Sequence, residues 1–317
     1  MKSFKNKRVF ITGAHGFIGS NLIKRLVGFG AEVHIVERKD SNNWRLKEVR
    51  DKITKHNIDF DNKAEITKKL KIIHPDIIYN LASYGGHYSE QDTDTIININ
   101  LLQNINFFSA LKEIKFDFFV NTGSSSEYGF KTKPMKETDL LEPVSFYAAT
   151  KASTTLLGQV FAKKHGMPIA TIRPFSVYGP FESKSKLIPT AIISCLKEEV
   201  LQLNSCEAKH DYIYIDDVID AYVKVPFLPK SIGEVINIGT GKQYSNKKVI
   251  SEISKIAKMP LKIKKGAFPK LSWDTNYWLA DNRKAKRLLN WEPKYSLREG
   301  LKKTISWFSE NLEHYSS

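Results

Sequence analysis

Residues 12–20, TGAHGFIGS, decide the fold because they join a buried strand to a helix through three regularly spaced glycines. Gly13, Gly16 and Gly19 follow the spacing G-x-x-G-x-x-G. A side chain at the first glycine would block the tight turn, and one at the second would block a pyrophosphate. The third glycine lets the helix pack closely on the strand. The helix that begins near Phe17 directs its free amides at the same point. The pattern therefore predicts a dinucleotide phosphate cradle.

Strand-like and helix-like segments alternate outward from this turn. The strand-like runs are almost continuously apolar, as in parallel strands that are buried on both faces. They occupy 8–13, 31–37, 76–82, 116–123, 168–175 and 233–241. Helical patterns occupy 18–30, 64–73, 95–113, 147–166, 187–199, 246–257, 281–289 and 297–312, and 210–225 mixes both types. The alternation predicts an α/β fold: a Rossmann-type doubly wound parallel sheet with a smaller C-terminal substrate domain.

The regular alternation loosens after Pro174, and this change indicates a domain boundary. We predict a dinucleotide-binding domain over 1–174, to which elements from about 213–240 return. Segments 175–212 and 241–317 then form the substrate domain.

The end of the second strand carries conflicting signals about the cofactor. A carboxylate at Glu37 would accept hydrogen bonds from the adenosine ribose and would repel a 2′-phosphate. Arg38 and Lys39 follow directly and would bind that phosphate instead, unless they only form a solvated strand end. Asp59 and Phe60 are candidates to bracket the adenine, with a plain loop as the alternative. NAD and NADP both stay open.

A serine-rich loop and a Tyr/Lys pair are the candidate catalytic elements. The stretch VNTGSSSEYGF at 120–130 follows an apolar run with three adjacent hydroxyls, for which a core strand has no use. Tyr147 and Lys151 lie four residues apart and so share one face of a helix. A nearby ammonium is expected to lower the pKa of the tyrosine, which can then exchange a proton with a sugar hydroxyl or ketone. A serine hydroxyl would bind the same oxygen.

Composition excludes several function classes. The formal charge is +15, from 49 basic and 34 acidic residues, but the lysines are scattered and no nucleic-acid motif occurs. No apolar run approaches the ~20 residues that span a bilayer, and the N-terminal stretch has no secretory pattern. Cys195 and Cys206 lack metal-ligand spacing. We predict a cytoplasmic protein with a phosphate-bearing substrate and with no metal, nucleic-acid or membrane partner.

Motifs along nearly the whole chain resemble one family, the extended short-chain dehydrogenase/reductases that act on nucleotide-diphosphate (NDP) sugars. In order, they are TGAHGFIGSNL, YNLAS, SSSEYG, the Tyr147/Lys151 pair, RPFSVYGP, DYIYIDDVIDA, INIGTG and LLNWEPKYSLREGL. Within this NAD-dependent epimerase/dehydratase family, the chain is most similar in motif to NDP-4-keto-6-deoxyhexose reductases.

The resemblance implies which serine is catalytic. The family's catalytic Ser or Thr lies four residues before the tyrosine of the Tyr-Gly pair, which is Ser124 here. Family 4,6-dehydratases follow that position with acids that drive loss of water. This chain has Ser125 and Ser126 there, and Glu127 comes one place late. The resemblance therefore favours a reductase or an epimerase over a dehydratase.

The glycine turn and the resemblance together imply the binding residues. The catalytic set is Ser124, Tyr147 and Lys151. The cofactor set is Gly13, His15, Gly16, Phe17, Ile18, Gly19, Glu37, Arg38, Asp59, Phe60, Leu81, Ala82, Ser83, Asn100, Thr122, Tyr147, Lys151, Pro174, Ser176 and Val177. The substrate set is Tyr84, Gly85, Gly86, His87, Ser124, Ser125, Ser126, Phe175, Lys186, Leu187 and His210. The family usually has arginine where His210 stands, which puts the diphosphate contact in doubt. Lys209 and Lys186 are possible substitutes.

The functional prediction has one main form and three alternatives. The main form is NAD(P)H-dependent reduction of the C4 ketone of an NDP-4-keto-6-deoxy sugar, with NADP(H) slightly favoured. The first alternative is an NDP-sugar 4-epimerase that retains NAD. A 4,6-dehydratase and a non-catalytic dinucleotide-binding protein rank lower. Apolar residues on helices 95–113 and 147–166 further predict a homodimer.

Overall fold

The computed structural model describes residues 3–37, 43–86, 90, 92–203, 205–265 and 275–315. The predictions for Arg38, Lys39 and His87 lie outside these residues. The strands are β1 Arg8–Thr12, β2 Glu32–Val36, β3 Ile53–His56, β4 Ile77–Asn80, β5 Phe118–Thr122, β6 Ile169–Pro174, β7 Ser176–Tyr178, β8 Leu201–Leu203, β9 Lys209–His210, β10 Tyr212–Tyr214, β11 Val235–Ile238, β12 Tyr244–Ser245 and β13 Ile263–Lys265. The helices are α1 Phe17–Gly28, α2 Lys63–Ile73, α3 Thr93–Ile97, α4 Gln103–Leu111, α5 Phe146–His165, α6 Leu187–Leu196, α7 Ile215–Lys224, α8 Asn246–Ala257, α9 Arg283–Leu289 and α10 Leu297–Glu310.

Seven strands form one sheet in the order β11-β6-β5-β4-β1-β2-β3. Every pairing in this sheet is parallel. From β1 the chain adds β2 and β3 towards one edge of the sheet. It then returns to place β4 on the other side of β1 and adds β5, β6 and β11 towards the opposite edge. This reversal leaves a crevice at the carboxyl ends of the strands. The predicted doubly wound α/β fold is confirmed.

Helices cover both faces of the sheet because the strand residues are apolar on both sides. Val9 and Ile11 of β1 face the layer built mainly from α1, α7 and α10, whereas Phe10 faces the layer of α2, α4 and α5. In the second layer, Phe107 and Phe108 of α4 pack edge-on against Phe119 of β5. These rings fix α4 and α5 against the strands whose ends carry the site.

Helix α5, which positions the Tyr/Lys pair, has clear end signals. Ser145 caps its first turn by accepting a hydrogen bond from the Ala148 amide at 3.1 Å. Gly166 ends the helix in the left-handed conformation, with φ +63°. The first turn of α5 therefore starts at a defined point beside the serine loop.

The predicted helix 95–113 is not continuous. A π-helical turn, Asn98–Leu102, separates α3 from α4. Such turns insert one residue into the helical repeat and occur frequently at functional sites. Here the turn carries Asn100, whose side chain is buried.

The chain after Pro174 builds a smaller unit beside the crevice. Its strands form three two-stranded sheets, β7 with β10, β9 with β12, and β8 with β13. β11 returns to the main sheet beside β6, as the sequence predicts, although the proposed domain limits stay a prediction. β3 and the 3₁₀ segment Trp44–Lys52 were missed, because the stretch is short and polar. No helix among the described residues is long and apolar enough to span a membrane.

Candidate active site

A single long cleft of about 2390 Å³ runs along the carboxyl ends of β1, β4, β5 and β6. Its volume exceeds the ~300–1,000 Å³ of a pocket for one drug-sized ligand, so the cleft can hold two large ligands end to end. One end is lined by the glycine turn and the other by the smaller unit. The predicted residues that line it are Gly13, His15, Gly16, Phe17, Ile18, Gly19, Asp59, Phe60, Leu81, Ala82, Ser83, Gly85, Gly86, Thr122, Ser124, Ser125, Ser126, Tyr147, Lys151, Pro174, Phe175, Ser176, Val177, Lys186, Leu187 and His210.

The glycine turn fits a pyrophosphate. A Cβ on Gly13 would lie 2.5 Å from the Leu81 carbonyl carbon, and φ there is +70°. A Cβ on Gly19 would lie 2.2 Å from the Gly13 oxygen. Gly16 caps α1 without any side-chain hydrogen bond, and the first turn of α1 carries no acid. The free amides at this helix end therefore face the cleft and favour an anion.

His15 adds two unpaired polar atoms to the same turn. Both of its ring nitrogens are buried without a hydrogen-bond partner among the described residues. Burial lowers the pKa of His15, and the nearby Glu37 carboxylate only partly opposes this shift. Buried polar groups are normally paired. The orphaned imidazole is thus a group that a bound dinucleotide would satisfy.

Glu37, Asp59 and Phe60 are the residues that the sequence predicts for the cofactor's adenosine. Glu37 follows β2 and accepts a 2.8 Å hydrogen bond from Lys55, which holds the pKa of the carboxyl below its usual range. Its side chain stands beside the cleft and is not part of the lining. Asp59 and Phe60 line the cleft, and the Phe60 ring is held edge-on against Phe107.

The serine loop, α5 and the end of β5 bring Ser124, Tyr147 and Lys151 to one wall of the cleft. The Ser124 hydroxyl accepts hydrogen bonds from the Ser126 amide at 3.1 Å and from the Ser126 hydroxyl at 2.7 Å. It also lies close enough to the Tyr147 phenol to lower the pKa of that phenol. Ser124 and Tyr147 are therefore neighbours, and Lys151 lines the same cleft, while their catalytic roles stay a prediction.

The pKa shifts of Tyr147 and Lys151 differ from the expectation. Burial raises the pKa of Tyr147 to about 12, and Ser124 only partly opposes the rise. Burial also lowers the pKa of Lys151 to about 8. The net shift of the tyrosine pKa is therefore upward, opposite in direction to the expectation. Loss of hydration dominates both side chains, and the carboxylate of Glu127 acts on both.

Asn100 and Tyr84 do not line the cleft, in contrast to the prediction. The Asn100 amide donates to the Tyr84 carbonyl at 2.7 Å and to the Thr150 hydroxyl at 3.2 Å, and its oxygen accepts from the Tyr84 amide at 2.9 Å. Both the NH2 group and the oxygen of the Asn100 side chain are therefore hydrogen-bonded within the protein. Asn100 therefore braces the loop of Tyr84 against α5 and does not bind the cofactor directly.

The end of the cleft beside the smaller unit contains aromatic residues. The Trp278 indole donates a 3.0 Å hydrogen bond to the Ser125 hydroxyl, and the ring lies near His210. Burial lowers the pKa of His210 to about 4, so this imidazole is neutral at physiological pH. No local motif marks Trp278, which is 153 residues from Ser125 in the chain. The sequence therefore offered no signal for it.

Lysines at the start of α6 form the far end of the cleft. Lys186 reaches across to donate a 2.7 Å hydrogen bond to the Gly86 carbonyl, and Lys184 lines the same wall. Lys209 does not line the cleft. Glu182 lines it and was missed, although it stands two residues after the RPFSVYGP motif. Within the described part of the chain, no group of three His, Cys, Asp or Glu residues could hold a metal ion.

The chain is similar to known proteins over nearly its whole length. A family model described as the NAD dependent epimerase/dehydratase family matches residues 9–239. An uncharacterized protein of Methanocaldococcus jannaschii, MJ1055, is 30% identical over 98% of both chains. A UDP-glucuronate 4-epimerase of Thermodesulfobacterium geofontis is 28% identical over 96% of both chains.

A solved structure extends the similarity to three dimensions. The UDP-glucuronic acid 4-epimerase of Bacillus cereus, in complex with UDP-glucuronic acid and NAD, superposes with a TM-score of 0.87. It is 28% identical in sequence, and the match covers 96% of this chain and 99% of that one. The similarity thus spans both the glycine turn and the smaller unit.

Proposed function

The chain belongs to the NAD-dependent epimerase/dehydratase family, and from that membership we propose that it is an NAD-dependent 4-epimerase of an NDP-sugar. The observation that carries the proposal is the gathering of Ser124, Tyr147 and Lys151 on the cleft wall between the glycine turn and the smaller unit. The 4-epimerase relatives support inversion at C4 over the reduction that the sequence ranked first.

The side chains of the serine loop support an epimerase over a dehydratase. Ser125 and Ser126 line the cleft where a dehydratase would carry acids. Glu127 is fully buried, and its carboxylate binds Arg173 and does not line the cleft. No acid in this loop is therefore available to remove water from the sugar.

NAD is the cofactor that the residues fit best. The glycine turn would hold its pyrophosphate, and Glu37 would accept a hydrogen bond from the adenosine ribose and repel a 2′-phosphate. Bound NAD⁺ supplies a hydride acceptor at its nicotinamide ring, whose positive charge also favours ionisation of a neighbouring phenol.

The chain's own residues then handle the proton at the sugar O4. Tyr147 accepts the proton of the C4 hydroxyl as this carbon becomes a ketone, and Ser124 donates a hydrogen bond to the same oxygen. After the keto sugar turns its other face, Tyr147 returns the proton. Lys151, as a cation, stabilises the phenolate form of Tyr147 that exists before the proton is accepted and again after it is returned.

Lysines of the smaller unit are the groups that would bind the substrate's diphosphate. His210 is neutral and cannot replace an arginine. Among the described residues that line the cleft, Lys184 and Lys186 are the cations other than Lys151. Lys186 can exchange the Gly86 carbonyl for a phosphate oxygen, which is the stronger acceptor.

The experiment is to incubate purified protein with UDP-glucuronic acid, UDP-glucose and the CDP-, dTDP- and GDP-sugars, without added cofactor. We expect nucleotide to copurify with the protein and C4 inversion to be visible by NMR for at least one sugar. Tyr147→Phe should retain bound NAD and lose ~10²–10⁴-fold in rate.

The competing prediction is a reductase. Protein that purifies without nucleotide and consumes NADPH with an NDP-4-keto sugar would contradict the epimerase proposal and support the reductase. Protein that inverts none of the sugars and reduces none of their 4-keto forms would contradict both. We further propose a homodimer, formed through the exposed apolar residues of α4 and α5.

A further inference from the structure

Glu127 is a buried carboxylate directly beneath the proposed catalytic residues. Its side chain has no solvent exposure. One oxygen accepts hydrogen bonds from the Ser124 amide at 2.7 Å and from the Thr155 hydroxyl at 3.0 Å. The other accepts two 2.7 Å contacts from the Arg173 guanidinium. The carboxylate is thus fully paired and has no capacity left for a ligand.

These contacts join three separate elements. Ser124 belongs to the serine loop, Arg173 to β6, and Thr155 to α5. Tyr147, Lys151 and Thr155 are spaced by four residues and lie along one face of α5. Glu127 therefore holds the loop that carries the catalytic hydroxyl against the helix face that carries the phenol and the ammonium.

The serine loop is shaped around this carboxylate. Ser124 caps the 3₁₀ turn Ser125–Tyr128, and the Glu127 carboxylate returns to the Ser124 amide, so the two form a reciprocal capping box. A Cβ on Gly123 would lie 2.4 Å from the Glu127 oxygen. Only glycine leaves room for the carboxylate at this point.

We propose that Glu127 is a positioning residue, whose carboxylate fixes the Ser124 hydroxyl relative to the Tyr147 and Lys151 side chains. The inference rests on the 4-epimerase function proposed above, in which these three groups act on one oxygen. A misplacement of ~1 Å between reacting groups can cost ~10²-fold in rate. A three-way anchor directly below the hydroxyl prevents that movement.

The charge of Glu127 also acts on the catalytic pair. Burial lowers the pKa of Lys151, and the carboxylate opposes this shift. Burial raises the pKa of Tyr147, and the carboxylate adds to the rise. Among the described residues, the charged or titratable groups around Glu127 are Arg173 on β6, Lys151 and Tyr147 on α5, and the neighbouring Tyr128. Glu90 also raises the pKa of Tyr147.

Glu127→Gln tests both effects, because it keeps the side-chain shape and removes the charge. We expect kcat to fall at least tenfold while KM for the sugar changes less than twofold. Without the anion, the pKa values of Lys151 and Tyr147 both decrease, so the fall in kcat on the alkaline side begins at lower pH. A purely structural role would leave this pH profile unmoved.

A double variant, Glu127→Val with Arg173→Met, separates anchoring from stability. Replacing a buried ion pair by apolar residues of similar size often preserves folding. We expect a folded protein in which the Ser124 amide exchanges with deuterium at least tenfold faster and kcat falls ~10²-fold. Thr155→Val keeps the ion pair and should give a smaller loss of kcat.

The positioning role of Glu127 and the proposed 4-epimerase function can each fail separately. A folded double variant with the parent kcat, pH profile and Ser124 exchange rate would overturn the positioning role. If the parent protein inverts no NDP-sugar, the proposed function fails, and the exchange rate of the Ser124 amide alone then decides whether Glu127 anchors the loop.

Discussion

We expect the ionisation of Lys151 to set the alkaline limit of activity. Its side chain is 5% exposed, and burial lowers its pKa to about 8. Below that pH the ammonium is present and can stabilise a phenolate at Tyr147. Above it the lysine becomes neutral, and the phenolate loses its partner.

Lys151→Arg tests this assignment. Arginine stays protonated at every accessible pH, so we expect the decline in kcat above pH 8 to disappear. The value of kcat at pH 7 should fall because the guanidinium is larger and branched. The measurement is kcat against pH from 6 to 10 for both proteins. A decline at the same pH in the arginine variant would assign it to another group.

The sequence was informative for residues whose chemistry depends on spacing along one segment. Tyr147 and Lys151 share a helix face, and Gly13, Gly16 and Gly19 share a turn, so local geometry already fixes their relations. The direction of the tyrosine pKa shift could not be predicted, because desolvation depends on which segments cover the phenol. Contacts such as Trp278 with Ser125 likewise join distant parts of the chain.

At the scale of the element, the turn from β1 to α1 is where one added methyl group is expected to abolish NAD binding. Gly19→Ala would place a Cβ 2.2 Å from the Gly13 oxygen, and the nearest atoms are all backbone, which cannot turn aside as a side chain can. We expect loss of NAD binding and a lower melting temperature. Calorimetric titration with NAD and thermal unfolding measure the two effects.

Gly28→Ala on the same helix is the matched control. Nothing lies within 4 Å of a Cβ at that position. Alanine has the higher helix propensity, so the change should be neutral or stabilising by up to ~1 kcal/mol. Equal loss of NAD binding in both variants would show that helix stability, and not close approach at the turn, controls the cradle.

Elements with strong periodicity were predicted correctly, and irregular ones were not. The buried strands β1, β4, β5 and β6 appear where continuous apolar runs occur. The π-helical turn Asn98–Leu102 was missed because it shifts a helical pattern by one residue without changing its composition. β3 was missed because its edge position leaves it short and polar, and only pairing with β2 makes it a strand.

At the scale of the whole molecule, we expect the buried carboxyl of Glu182 to make stability depend on pH. Its side chain is buried, and one oxygen has no partner among the described residues. Burial raises its pKa to about 8, with Lys186 opposing. A carboxyl with a raised folded pKa is fully stabilising only below its unfolded pKa, and that stability is lost as pH rises toward 8.

Glu182→Gln should therefore raise the melting temperature at pH 8 and have little effect at pH 5. Each unit of pKa difference corresponds to ~1.4 kcal/mol, so the gain at pH 8 can reach a few kcal/mol. Glu313→Gln, at an exposed position near the C-terminus, is the control and should show no such difference between the two pH values. A gain of equal size at pH 5 and pH 8 would contradict the assignment.

The proposed dimer follows from apolar side chains that neither face of the sheet can bury. α4 and α5 pack against each other, and Phe107 and Phe108 of α4 are buried against the sheet. By contrast, Leu102 just before α4 and Leu156 and Val160 on α5 are 50%, 52% and 52% exposed. Together with Ile105 they form an apolar surface on adjacent helices, which a second copy of the chain would cover.

Leu156→Glu tests that surface. A charge at the centre of an apolar interface is strongly unfavourable, so we expect the variant to sediment as a monomer at concentrations where the parent is a dimer. Ile72→Glu, on α2 and 66% exposed, should leave the mass unchanged.

Because Leu156 lies on the same helix as Tyr147 and Lys151, dissociation should also lower kcat if the partner helps to hold α5 in place. A parent protein that sediments as a monomer would contradict the dimer, and a monomeric variant with full kcat would show that α5 is held by its own chain alone.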